Sequence, residues 1–165
     1  MPVIAIGLLL IYLVGAVFWN AWYLNYSDYI VNEAQIGTTA LAGVIGSLCS
    51  VAGTVAGFLS DIWIKITKRY SITLAFIFCG LFMIVPPLTH SVAGCYVGGI
   101  INMFFNLIIV SGLTVYVGRT THGKATTTAM SLMSGIEASG VFLCSYIVPA
   151  IGRRIGGGAG TNMIL

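Results

Sequence analysis

From Val3 to Leu24 the chain carries no charged residue. As a helix that run rises about 33 Å, at about 1.5 Å per residue, which is enough to cross a hydrocarbon core of about 30 Å. No cationic segment precedes it, it exceeds the apolar region of a secretory leader, and no small-residue cleavage site follows, so it reads as a spanning helix. Four more apolar runs follow, and the spacing predicts spans over 3–24, 38–63, 71–88, 93–117 and 126–148. The expected fold class is an all-α membrane protein, a bundle of five transmembrane helices in one domain.

Composition agrees. Of 165 residues, 58% are hydrophobic and 7% charged, about a quarter of the charge of a soluble domain. The net charge of +3 sits in short clusters between apolar runs, which reads as a topology signal and excludes a nucleic-acid surface. Cys49, Cys79, Cys95 and Cys144 contain no C-x-x-C pair and no histidine at ligand spacing, so no metal or cofactor is expected. His90 and His122 fall in predicted loops and carry no assigned role.

The polar punctuation sets the remaining expectations. Trp19, Trp22, Tyr23, Tyr26 and Tyr29 crowd the far end of the first run as an interfacial belt would, before a loop from Asn25 to about Gly37. Asn25-Tyr26-Ser27 matches a glycosylation sequon, a short pattern that carries little weight here. In the second run Gly43, Gly46, Ser50, Gly53 and Gly57 recur every three or four residues, a stripe that lets another helix approach closely. Pro86-Pro87 ends the third run, and Pro149 ends the fifth. Gly94, Gly98, Asn102 and Asn106 step by four along the fourth. Met163-Ile164-Leu165 looks like the threshold of a sixth helix, as in a fragment of a larger protein.

Cation counting orients the bundle. With the amino terminus inside, Lys65, Lys68, Arg69, Arg119 and Lys124 fall in cytoplasmic loops 64–70 and 118–125, against Arg153 and Arg154 outside.

The segment Gly57-Phe58-Leu59-Ser60-Asp61, followed by Lys65, resembles the loop after the second helix of a six-helix half in the major facilitator superfamily. Ile62 and Ile64 stand where that family has a cation and a turn glycine, and Lys68 and Arg69 come about three residues late. Such a degenerate pattern points to the carboxy-terminal half. The resemblance implies a twelve-helix secondary transporter of the plasma membrane, of which this chain supplies five helices and another half is the missing partner. It implies that Gly57, Leu59, Ser60, Asp61, Lys65, Lys68 and Arg69 form a gating latch, with Arg119 as the partner of Asp61. The bland alternative is a topology marker in the headgroups. It also implies a midplane solute site lined by the first, fourth and fifth helices.

Glu137 is the one ionisable residue deep within a predicted span. An acid at a helix centre costs about 2.5–3.5 kcal/mol on insertion scales, while a leucine returns about 0.3–0.6, so it is expected to face the bundle interior. It reads as a proton carrier or the partner of a cationic solute, against a structural acid bonded to Ser134 or Ser139. Asn102 and Asn106 read as solute ligands or as ties between helices. Asn20 reads as the mouth of a cavity or as an interfacial residue.

No glycine-lysine phosphate loop, serine-histidine-acid set or H-E-x-x-H motif is present. No enzymatic activity is therefore expected, and the resemblance implies secondary transport of a small solute by alternating access, with Glu137 as the candidate for coupling to protons. The alternatives are an assembly partner that docks through the glycine stripe, or an intramembrane enzyme using Glu137.

Overall fold

A computed structural model of the chain describes residues 3–164, which contain helices and turns and no strand. Helix α1 (Val3–Asp28) passes into a π-helical turn (Tyr29–Glu33). Then follow α2 (Thr39–Thr67), α3 (Ser71–Met83), the short α4 (Val85–Thr89), α5 (Val92–Thr120), α6 (Lys124–Arg154) and the short α7 (Ala159–Ile164). Four helical stretches are long and apolar enough to cross a membrane: Val3–Glu33, Thr39–Thr89, Val92–Thr120 and Ala125–Arg154. Exposed large hydrophobics such as Ile4, Phe58, Ile66, Leu88 and Phe142 ring the outside, as an integral membrane protein requires.

The second and third predicted spans thus lie in one apolar stretch of 51 residues. As a single helix it would be about 76 Å long, over twice the hydrocarbon thickness. It is broken at Lys68, whose backbone sits at φ 50°, ψ −121°. Trp63 closes the turn by donating Nε1–H to the Ser71 carbonyl at 3.0 Å. The conformation at Lys68 is one that only glycine adopts without strain. Lys68→Gly is expected to stabilise the fold by about 1 kcal/mol, net of glycine's greater chain entropy, read as a higher midpoint in thermal unfolding.

Helix directions follow from which residues meet. Gly53 faces Met103 and Leu107 and Cys49 faces Gly99, so α2 and α5 run the same way. Gly112 faces Ile72 and Asn102 bonds Cys79, so α3 runs opposite to α5. Leu9 and Tyr12 share a core with Ala129 and Met133, and Val17 and Ala21 share another with Cys144 and Val148, so α1 and α6 are parallel. Each long element thus reverses the direction of the one before.

Several boundaries differ from those expected from sequence. The first helix does not end at Leu24, because Tyr29 and Ile30 are buried and hold the chain helical through the polar stretch. The Tyr29 hydroxyl donates to the Pro86 carbonyl at 2.9 Å and stands 3.1 Å from His90 Nδ1. Pro86 and Pro87 open α4 rather than ending a helix, at positions where a missing N–H leaves no bond unmade. Pro149 lies inside α6, which stops instead at Gly156, φ +71°, where Gly157 N–H bonds back to the Gly152 carbonyl at 2.9 Å. The start of α5 is set by Ser91, whose side chain accepts from Gly94 N–H at 3.0 Å.

Nor is the glycine stripe one packing face. Gly46 meets Tyr26 and Gly53 meets Leu107, whereas Gly43 and Gly57 have open space beside them. The expected aromatic belt also turns inward: Trp19, Trp22 and Tyr29 are buried, and Trp22 stacks on Tyr26 with ring centroids 4.7 Å apart.

Candidate functional site

The core divides into two apolar clusters. One gathers Val17, Trp22, Ile45, Cys95 and Val148, the other Leu9, Ala56, Ile109, Val117 and Met133. Between them, at mid-height, lie Asn20 of α1, Asn102 and Asn106 of α5, and Glu137 of α6. Polar groups at this depth need partners or a cavity. These four find different solutions.

Asn102, 1% exposed, donates Nδ2–H to the Cys79 carbonyl at 3.1 Å and lies 3.2 Å from its Sγ, tying α5 to α3. It is a structural tie. Asn106, 7% exposed, forms no hydrogen bond to any described residue and lines a cavity of about 340 Å³. One helical turn therefore separates an amide spent on the fold from one left free. Asn102→Leu is expected to lower stability by about 1 kcal/mol, within the range for interhelical bonds in lipid. Asn106→Leu, which breaks no bond, is expected to be neutral or slightly stabilising; equilibrium unfolding in detergent checks both.

Glu137 enters that cavity from α6. Its Oε1 accepts from Trp19 Nε1–H and Asn20 Nδ2–H, each at 3.3 Å, while Oε2 is shielded and has no hydrogen-bond partner. The Asn20 amide is anchored by a second bond to the Ala16 carbonyl at 2.7 Å. The local geometry comes from Gly140: a Cβ there would lie 2.4 Å from Ala16 Cβ and 3.0 Å from the Ala16 carbonyl carbon. Only glycine lets α6 approach α1 closely enough for these bonds. Ser139 bonds its own helix at the Gly135 carbonyl instead of Glu137.

The cavity wall comes from three helices. Tyr12, Trp19, Asn20 and Tyr23 belong to α1, Met103, Asn106, Leu107 and Val110 to α5, and Glu137 to α6. A second cavity of about 450 Å³ adjoins it toward the start of α6, lined there by Thr114, Met130, Met133 and Ser134. Tyr12, Val110 and Glu137 belong to both walls. The carboxylate thus sits at the boundary between two chambers along the bundle axis.

Tyr12, Trp19 and Tyr23 are site residues that sequence reading assigned to the apolar run or the interface. Their signal was spacing: steps of seven and four put all three on the side of α1 that also bears Asn20.

The charged segment lies elsewhere. Gly57, Leu59, Ser60, Asp61 and Lys65 are helical, inside α2, and only Lys68 and Arg69 fall in the turn. Ser60 is buried and bonds the Gly57 carbonyl at 2.8 Å. Asp61 and Arg119 are both exposed and form no ion pair among the described residues. Arg69 donates to the Tyr70 hydroxyl and lies 4.6 Å over its ring. No protein-family model, curated protein or solved structure matches the chain. Among the described residues no group of three or more His, Cys, Asp or Glu could hold a metal ion.

Proposed function

We propose that the chain forms five membrane crossings of one half of a major-facilitator-type secondary transporter, with its solute site at Glu137. The observation that carries this reading is the carboxylate at the boundary of two chambers, walled by α1, α5 and α6. These are the first, fourth and fifth crossings in that reading, with residues 71–89 forming the third. A half-buried acid with one bonded and one unbonded oxygen, beside an unbonded amide, suits repeated binding and release better than permanent bracing. The open stripe of Gly43, Ser47, Ser50, Thr54 and Gly57 on α2 is a surface where a second helical half packs. In the same reading the cations from Lys65 to Arg69 stay cytoplasmic, and Asp61 finds its cation in another state of the cycle.

The test is uptake by proteoliposomes carrying the full-length protein, scanned with labelled amines, amino acids, sugars and carboxylates. Accumulation of one solute that requires Glu137 supports the reading. A panel in which nothing accumulates, or uptake unchanged in Glu137→Gln, overturns it.

A further inference from the structure

Resting on the solute site just proposed, we propose that its ligand is a small organic cation, a protonated amine bearing an apolar or aromatic group.

The charge of the wall comes first. Among the described residues Glu137 is the only carboxylate lining the chamber of about 340 Å³, and no lysine, arginine or histidine lines it. An anionic ligand meets a like charge there; a cation meets its complement. Oε1 already accepts from two neutral donors, while Oε2 accepts no hydrogen bond from any described residue, the Tyr12 hydroxyl lying beside the carboxylate. An ammonium N–H supplies the donor that Oε2 lacks. The Asn106 carbonyl oxygen, belonging to a nine-tenths-buried side chain without a hydrogen bond, accepts a second.

The rest of the wall selects an organic cation over a metal ion. Calcium takes about six to eight oxygen ligands and zinc about four of nitrogen, sulfur or oxygen, and this wall offers one carboxylate and amides. Three of its other components are aromatic. Tyr12 and Trp19 stand edge to face with ring centroids 5.4 Å apart, and Tyr23 lies one turn beyond Trp19. Ring faces near a desolvated ammonium attract it through their quadrupoles. Opposite them, Met103, Leu107 and Val110 form an apolar surface for a hydrocarbon substituent. A sugar would leave many hydroxyls against that surface unbonded, and a proton alone needs no chamber of about 340 Å³.

The experiment is calorimetric titration of the full-length protein in lipid nanodiscs. The probes are methylammonium, butylammonium and 2-phenylethylammonium, with 2-phenylethanol and 3-phenylpropanoate as neutral and anionic matches. Affinity is expected to rise from methyl- to 2-phenylethylammonium, with the alcohol at least tenfold weaker than its ammonium match and the carboxylate weaker still. Glu137→Gln is expected to bring 2-phenylethylammonium down to the alcohol's affinity. If that variant does not fold, Glu137→Asp, which keeps the charge, is expected to bind the ammonium more weakly yet still prefer it to the alcohol. Equal affinity for ammonium and alcohol, ammonium binding undiminished in Glu137→Gln, or no ammonium binding at all overturns the assignment. Ammonium binding that needs Glu137, without flux of any solute, keeps the cation site and removes the transport reading. Glu137-dependent flux of a sugar with no ammonium binding does the reverse.

Discussion

Replacing Gly140 with leucine is expected to cost about 3 kcal/mol of stability, the upper part of the usual range for overpacking, or over a hundredfold in the folding constant. The reason is that the obstruction is backbone. A Cβ at 140 would stand 2.4 Å from the Ala16 Cβ and 3.0 Å from its carbonyl carbon, and no rotamer change removes either atom. The helices must part, and parting them pulls Glu137 from Trp19 and Asn20. Gly140→Ala alone should show much of the loss, and adding Ala16→Gly should recover part of it, a coupling that independent sites do not show. Gly57 gives the opposite sign. With nothing within 4 Å of a Cβ there, Gly57→Ala is free to gain the helix propensity of alanine, about 1 kcal/mol. Equilibrium unfolding of the four variants in one detergent measures all of this; equal losses at 140 and 57 would show that α1 and α6 are not in close contact.

The sequence carried more of the site than of its surroundings. Glu137 was visible because an acid inside an apolar run must be solvated by protein, and Asn106 because an amide at mid-span needs a partner, whereas Asn20 was legible only as an amide among aromatics near a helix end, the mouth of a cavity or an interfacial residue. That reasoning rests on cost, and cost is local. What it lacked was direction. Asn102 and Asn106 look equivalent at a spacing of four, and only the position of α3, set by the turn at Lys68, gives Cys79 to one and the cavity to the other. Aromatic residues at a span end have two stable solutions, the headgroup layer and the helix interface, and Trp19 takes the second because Gly140 brings Glu137 within reach of its indole N–H. Boundaries were illegible for a related reason. The residues from Asn25 to Glu33 follow the burial of Tyr29 and Ile30 rather than local propensity, and α6 runs on through Pro149. The motif from Gly57 to Asp61 was legible as a pattern, yet its residues lie within α2 and contribute nothing to the chambers.

Glu137→Gln is expected to leave the fold within about 1 kcal/mol of the parent while lowering solute accumulation about a hundredfold. The two effects separate because glutamine keeps what the structure uses and removes what the proposed function uses. Its side-chain oxygen still accepts from Trp19 Nε1–H and Asn20 Nδ2–H, so neither buried donor is orphaned. Its volume still fills the boundary between the chambers. What disappears is the charge, and with it the site's ability to take a proton or hold a cation. A carboxylate and a cation about 4 Å apart attract by about 4 kcal/mol at an effective dielectric constant of about 20. A hundredfold loss needs only about 2.8 kcal/mol, which leaves room for the cost of stripping water from both charges. Glu137→Ala is the contrasting variant. It orphans the Trp19 donor in the core and should cost about 1–3 kcal/mol, so its loss of transport would be mixed with loss of fold. If Glu137 is only a brace between α1 and α6, the ranking inverts: glutamine transports like the parent, and alanine fails in proportion to its lost stability. Measuring accumulation and unfolding for both variants in one lipid therefore decides between a working acid and a structural one.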